Sequence, residues 1–259
     1  MHAGSNEFHR ASSRRDSPLN ASGRIPIVLL PGMDGTGELL DALAGRLSRF
    51  RPVHIVSYPL DKPLGYDELT AFVTARLPEG RFAILGESFS GPIAIEIAAK
   101  ERRAAGLILA SSFARYPLPP LLVPFTRLFD LRRMPLRIVE ATLLGAWSTP
   151  ELESRLRELL RRLPRETIQA RAASALRVDK RQALRQIACP ALCLHGRFDR
   201  VAGKRCVRQI LLAQPRCQVQ LLDAPHMLLE THPGEAARAI DAFCDELQSG
   251  GLPGAGRLT

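Results

Sequence analysis

The sequence predicts an α/β protein in which a mostly parallel, doubly wound sheet carries an inserted, all-helical segment. Three observations carry that expectation. Short, nearly unbroken apolar runs alternate with stretches of helical periodicity, the pattern of strands buried on both faces and joined by helical crossovers. The chain has 259 residues, 46% of them apolar, enough for one large core without disulfide or metal staples. Finally, the rhythm is broken once, over residues 113–187, by a segment longer than any ordinary loop.

Taken in order, residues 1–24 are polar, lack the apolar stretch of a secretory signal and are expected to form a disordered leader. Strands are predicted at 25–30, 53–57, 81–86 and 105–111, with helices at 38–47, 66–77 and 89–102 between and around them. After the break, strands at 189–195 and 217–222 alternate with helices at 203–213 and 235–247. The α/β core therefore comprises 25–112 and 188–248, and the Gly-rich stretch 249–259 is expected to be a flexible tail. The insertion opens on Pro117, Pro119, Pro120 and Pro124, then sets Leu152, Leu156, Leu159 and Leu160 at helical spacing with Arg155, Arg157, Arg161 and Arg162 between them. Such an insertion belongs over the carboxyl ends of the strands, where open α/β sheets bind ligands.

Composition excludes several classes. The apolar share is too high for a disordered chain, and no stretch approaches the ~18 uninterrupted apolar residues of a transmembrane helix. The five cysteines, Cys189, Cys193, Cys206, Cys217 and Cys244, form no CxxC pair, which points to reduced thiols in a cytoplasmic protein. His, Cys, Asp and Glu show no metal-ligand spacing, so neither a metal nor a cofactor is expected. The net charge is +10, and the insertion alone holds fifteen basic residues against seven acids. So local an excess implies an anionic partner. With aromatics at 5%, and the basic residues gathered over a pocket, nucleic acid is not the expected one.

The chemistry centres on Gly86-Glu87-Ser88-Phe89-Ser90, where a strand runs into a helix. This is close to G-x-S-x-G, a turn so tight that only small residues fit on either side of a serine presented at a helix N-terminus. Ser90 replaces the last Gly but is also small. An acid and a base follow in the order such a nucleophile requires: Asp199 in the loop after the strand at 189–195, and His226 in the loop after the strand at 217–222. Asp223 is the rival acid but sits too near His226 in sequence, and His195 is expected to be a packed core residue. After the first strand, Pro31-Gly32-Met33-Asp34-Gly35-Thr36-Gly37 could aim the Met33 amide, together with that of Phe89, at an oxyanion. It fits neither standard phosphate-binding glycine pattern.

These stretches, PGMDGTG, GESFSG, GRFDRV and DAPHMLLETHP, resemble the α/β-hydrolase superfamily over roughly residues 25–248. The insertion resembles the helical cap of the carboxylesterase branch, including pimeloyl-acyl-carrier-protein methyl ester esterases. That resemblance implies a catalytic triad of Ser88, Asp199 and His226 with an oxyanion hole at Met33 and Phe89. The sequence departs from it in having Pro31-Gly32 where His-Gly is usual, and in lacking a counterpart, within 1–24, of the two antiparallel strands that usually open the fold. The expected function is hydrolysis of a small-molecule acyl ester or thioester through an acyl-enzyme. An acidic acyl carrier protein or a coenzyme A thioester is the partner suggested by the basic insertion. The LPGMDGTG stretch also looks like the matching loop of plastid acyltransferases that make phytyl esters, so acyl transfer to an alcohol is an alternative. A non-catalytic ligand-binding role is another, which retention of all three triad residues argues against.

Overall fold

Six apolar runs become six strands: β1 (Ile27–Leu30), β2 (Val53–Ile55), β3 (Phe82–Glu87), β4 (Ala104–Ala110), β5 (Ala191–Gly196) and β6 (Gln218–Leu222). The structure, a computed structural model, describes residues 23–128 and 135–249. Apart from Gly23 and Arg24, the expected leader lies outside the described residues, as do the tail beyond Ser249 and the pair Arg132 and Arg133. The strands form one sheet in the order β2-β1-β3-β4-β5-β6, and every pairing is parallel. β1, β3, β4 and β5 are buried along their whole length, which explains their continuous apolar runs, whereas the edge strands β2 and β6 are mostly half-buried. β1 and β5 start later than the apolar runs suggest because Pro26 and Pro190 have no N–H for the ladder. Both prolines still accept, from Ala83 and Leu107 respectively.

Helices cover both faces. α1 (Asp41–Leu47), α9 (Leu228–Thr231) and α10 (Pro233–Gln248) pack on one, around Leu43, Ile240 and Phe243. α2 (Tyr66–Thr74), α3 (Gly91–Lys100) and α8 (Gly203–Ala213) pack on the other, around Leu69, Ile93 and Ile210. This is the doubly wound arrangement the alternation predicts. Among the described residues, no helix is long and apolar enough to cross a membrane.

Between β4 and β5 lie a 3-10 helix (Pro120–Leu128) and the helices α4 (Leu136–Leu143), α5 (Pro150–Arg162), α6 (Arg165–Arg177) and α7 (Arg181–Gln186). α5 starts where its sequence says it should. Thr149 accepts from the Leu152 amide, Pro150 occupies the first turn, and Arg161 and Arg162 sit at the C-terminal end, where the helix dipole favours cations. Leu156, Leu159 and Leu160 are buried with Val139, Leu144 and Ile168, and this cluster closes over Leu39 and Met227 from the loops of the sheet. α7 differs: its Leu184 packs into the sheet's own core beside α3 and α8.

Part of the insertion's positive charge is engaged with the segment that follows β1, although most of the described arginines are exposed. Arg162 forms a two-pronged pair with Glu38, and Arg155 donates to the Glu38 carbonyl at 2.5 Å. All five cysteines are free thiols. Burial pushes Cys189 up to about 11 and Cys206, Cys217 and Cys244 up to about 12, and it raises Cys193 as well.

Candidate active site

The strand order reverses at β1, so the loops leaving β1 and β3 flank the crevice where such sheets bind ligands. Ser88 follows β3 directly and begins a 3-10 turn, Ser88–Ser90, that feeds α3. Its φ of 45° lies in the left-handed region, a conformation that costs a serine on the order of 1–2 kcal/mol. The turn leaves no room at Gly86, where a Cβ would stand 2.6 Å from the Ser90 carbonyl oxygen. Ser90, the apparent defect in the motif, is used twice. Its hydroxyl donates to the Pro31 carbonyl and is 2.5 Å from the Tyr58 hydroxyl, whose proton it accepts. A glycine there could not join the elbow to the loop after β1. Ser112 donates to the Ser88 carbonyl at 2.6 Å and so braces the elbow from the end of β4.

β5 and β6 are neighbours, and the loops that leave them converge as their register requires. Ser88 Oγ lies 2.8 Å from His226 Nε2, and His226 Nδ1 lies 2.9 Å from Asp199 Oδ2. His226 is buried, Ser88 half-buried. The other Asp199 oxygen accepts from the Val201 and Ala202 amides at 2.7 and 2.9 Å. Burial alone would raise this carboxyl. The hydrogen bond from His226, the proximity of His226 and His195, and the Ala202 amide together hold it at about 2. An ionised carboxylate only accepts, so Nδ1 of His226 carries the ring proton and Nε2 accepts from the Ser88 hydroxyl. His195 is buried 3.6 Å from Asp199, with its pKa lowered chiefly by burial. Asp223 points outward and pairs with Arg197 at 2.9 Å.

The loop after β1 is held from both sides. From α6, the buried Arg171 donates to the carbonyls of Met33 (2.8 Å), Asp34 (2.7 Å) and Pro59 (3.1 Å). Gly35 has a φ of +75°, and a Cβ on it would run into the Arg171 guanidinium, so glycine and arginine fit only each other. From β3, Glu87 accepts the Gly32 amide at 3.1 Å. Glu87 and Glu230 are both buried and close enough to influence each other; burial raises both carboxyls, Glu230 to about 7.

A cavity of about 300 Å³ opens beside Ser88. Met33 and Phe89 line it together with Ser88, Phe113, Tyr116 and Leu176. The residues predicted from sequence thus meet at one place. Tyr58, Ser112, Arg171 and Glu230 were not anticipated as parts of it. Tyr58 and Ser112 do follow β2 and β4 at the same edge of the sheet, which is a signal that could have found them. Arg171, one of fifteen basic residues in the insertion, carried none.

A model of the alpha/beta hydrolase family matches residues 27–239. Solved structures share the architecture. A thermophilic esterase from Thermogutta terrifontis is 22% identical at a TM-score of 0.74, covering 86% of this chain and 90% of its own. An enol-lactonase from Burkholderia xenovorans is 20% identical at 0.73 (87% and 92%), and a bromoperoxidase from Bacillus anthracis 18% at 0.74 (86% and 92%). At these identities the likeness is one of fold. No curated protein matches the chain in sequence.

Proposed function

The chain belongs to the alpha/beta hydrolase family, and from that premise we propose that it is a cofactor-independent serine hydrolase cleaving a carboxylic ester or thioester. The observation that carries this reading is the hydrogen-bonded chain from Ser88 through His226 to Asp199. Ser88 Oγ attacks the acyl carbon while its proton passes to His226 Nε2. Asp199 fixes the ring and stabilises the imidazolium. The Met33 and Phe89 amides receive the negative oxygen, in keeping with their place with Ser88 in the cavity lining. The tetrahedral intermediate collapses, and the leaving group departs with the proton from His226. Water then enters by the same route in reverse, releasing the acid and restoring Ser88. The names of the neighbours, esterase and enol-lactonase, are consistent with carbonyl chemistry of this kind.

The substrate is a small acyl compound and the setting cytoplasmic. Carriage by acyl carrier protein or coenzyme A is the finer form of the proposal. Such a carrier would dock on exposed cations such as Arg161, because Arg155, Arg162 and Arg171 are engaged with the segments that follow β1 and β2. The test is labelling with an active-site-directed fluorophosphonate, followed by mass spectrometry and by turnover of nitrophenyl esters. The expected result is label on Ser88 alone and a loss of several orders of magnitude in kcat for Ser88→Ala. Label on another serine, or turnover retained in Ser88→Ala, overturns the proposal.

A further inference from the structure

Among the described residues, the cavity beside Ser88 is lined without charge. Its inner end meets the nucleophile, and its outer part is formed by the insertion: Leu122 and Phe125 of the 3-10 helix, and Ala172 and Leu176 of α6. Tyr116 supplies a hydroxyl to the lining, and among the described residues no acidic or basic side chain lines the space. Nor does the arginine nearest in sequence to this wall among the described residues enter the space. Arg171, on α6 next to Ala172, turns away to the carbonyls of the loop after β1. The outer end reaches solvent past Phe125, which is 61% exposed, and Leu118, which is 46% exposed.

From this arrangement we infer that the acyl group delivered to Ser88 is neutral and apolar, of medium length, and selected by the wall that Leu122, Phe125, Ala172 and Leu176 form. The inference rests on the hydrolase reading and gives it a substrate class. An alkyl chain placed along the cavity removes apolar surface from water on both sides. A terminal carboxylate at the same depth would be buried without a partner, which is strongly unfavourable. At about 300 Å³ the cavity lies at the small end of ligand pockets, so it fills at a medium chain length. Beyond that the chain emerges over the apolar rim at Leu118 and Phe125, and further methylenes gain little.

The experiment compares nitrophenyl esters from acetate to dodecanoate with the nitrophenyl monoesters of dicarboxylic acids of matched length. kcat/KM is expected to rise about threefold per methylene from acetate to near octanoate, then to level. At lengths that keep the terminal carboxylate inside the cavity, the carboxylate-bearing esters are expected to react at least about 100-fold more slowly than neutral ones of the same length. In Ala172→Phe the octanoate-to-acetate ratio of kcat/KM should drop at least about tenfold. Should that variant fail to fold, the wild-type series decides alone. A flat chain-length response, or preference for the ω-carboxylates, overturns the inference. Thermal shifts with unreactive n-alkyl amides and their ω-carboxylates need no turnover. If no ester reacts yet the neutral amides stabilise the protein with increasing length, the hydrolase reading falls and the apolar pocket stands.

Discussion

Replacing Arg171 by Met removes a fully buried guanidinium and leaves the carbonyls of Met33, Asp34 and Pro59 without their donor. Each charge-assisted hydrogen bond contributes about 1.5–3 kcal/mol. Against this stands the cost of burying the cation, the same effect that lowers the Arg171 pKa. Met recovers part of the packing, so the net loss should be about 3 kcal/mol, a fall in melting temperature of roughly 6–12 °C. The effect on turnover is separate. Arg171 ties down the Met33 and Asp34 carbonyls and thereby anchors the loop that carries the Met33 amide, the proposed oxyanion donor. Losing one aligned oxyanion donor costs about 10²–10³ in kcat. The assay is a thermal scan paired with kcat and KM for a nitrophenyl ester at a temperature where the variant is fully folded. kcat should fall by that factor with KM little changed. Arg171→Lys should recover only part of it, because one ammonium cannot span three carbonyls. A folded Met variant with wild-type kcat, or one altered only in KM, refutes the reasoning.

Asp199 is held at about 2, below its ordinary 3.8, so its contribution to stability is complete above about pH 4 and is lost as pH falls through about 2. Urea melts of Asp199→Asn across that range should lack this acid limb, worth about 2–3 kcal/mol, and kcat should drop by about 10⁴ while Asp223→Asn stays near wild type. Glu230, raised from 4.5 to about 7 by burial, works in the opposite sense: what it contributes is present below about pH 4.5 and is lost as pH rises through about 7. Glu230→Gln should flatten stability over that window in the same melts. Ser88→Gly should relieve the left-handed backbone at φ 45° and raise stability by about 1 kcal/mol while abolishing turnover, and a destabilised variant would contradict the strain.

The sheet was legible because β1, β3, β4 and β5 are buried on both faces, which leaves continuous apolar runs in the sequence. Ser88, Asp199 and His226 were legible because each lies within a few residues of a strand end, and loops leaving one edge of a parallel sheet can converge. What braces them was not. Arg171 acts on backbone carbonyls, which have no residue identity to pair with in a sequence. Glu230 lies near Glu87 across more than a hundred positions of chain, and a sequence holds no charge pattern that would bring two like residues together. Ser90 looked like a weakened motif because its partners, Tyr58 and the Pro31 carbonyl, are distant in sequence.

The state of the thiols has a practical consequence. With Cys193, Cys206, Cys217 and Cys244 buried, and Cys189 raised to about 11, almost no thiolate exists near neutral pH for an alkylating reagent to capture. A single cysteine introduced on the exposed face of α5, at Arg161 for instance, would therefore carry a maleimide dye or spin label in an otherwise unmodified chain. Distances from the insertion to the sheet could then be followed during turnover without first constructing a cysteine-free background.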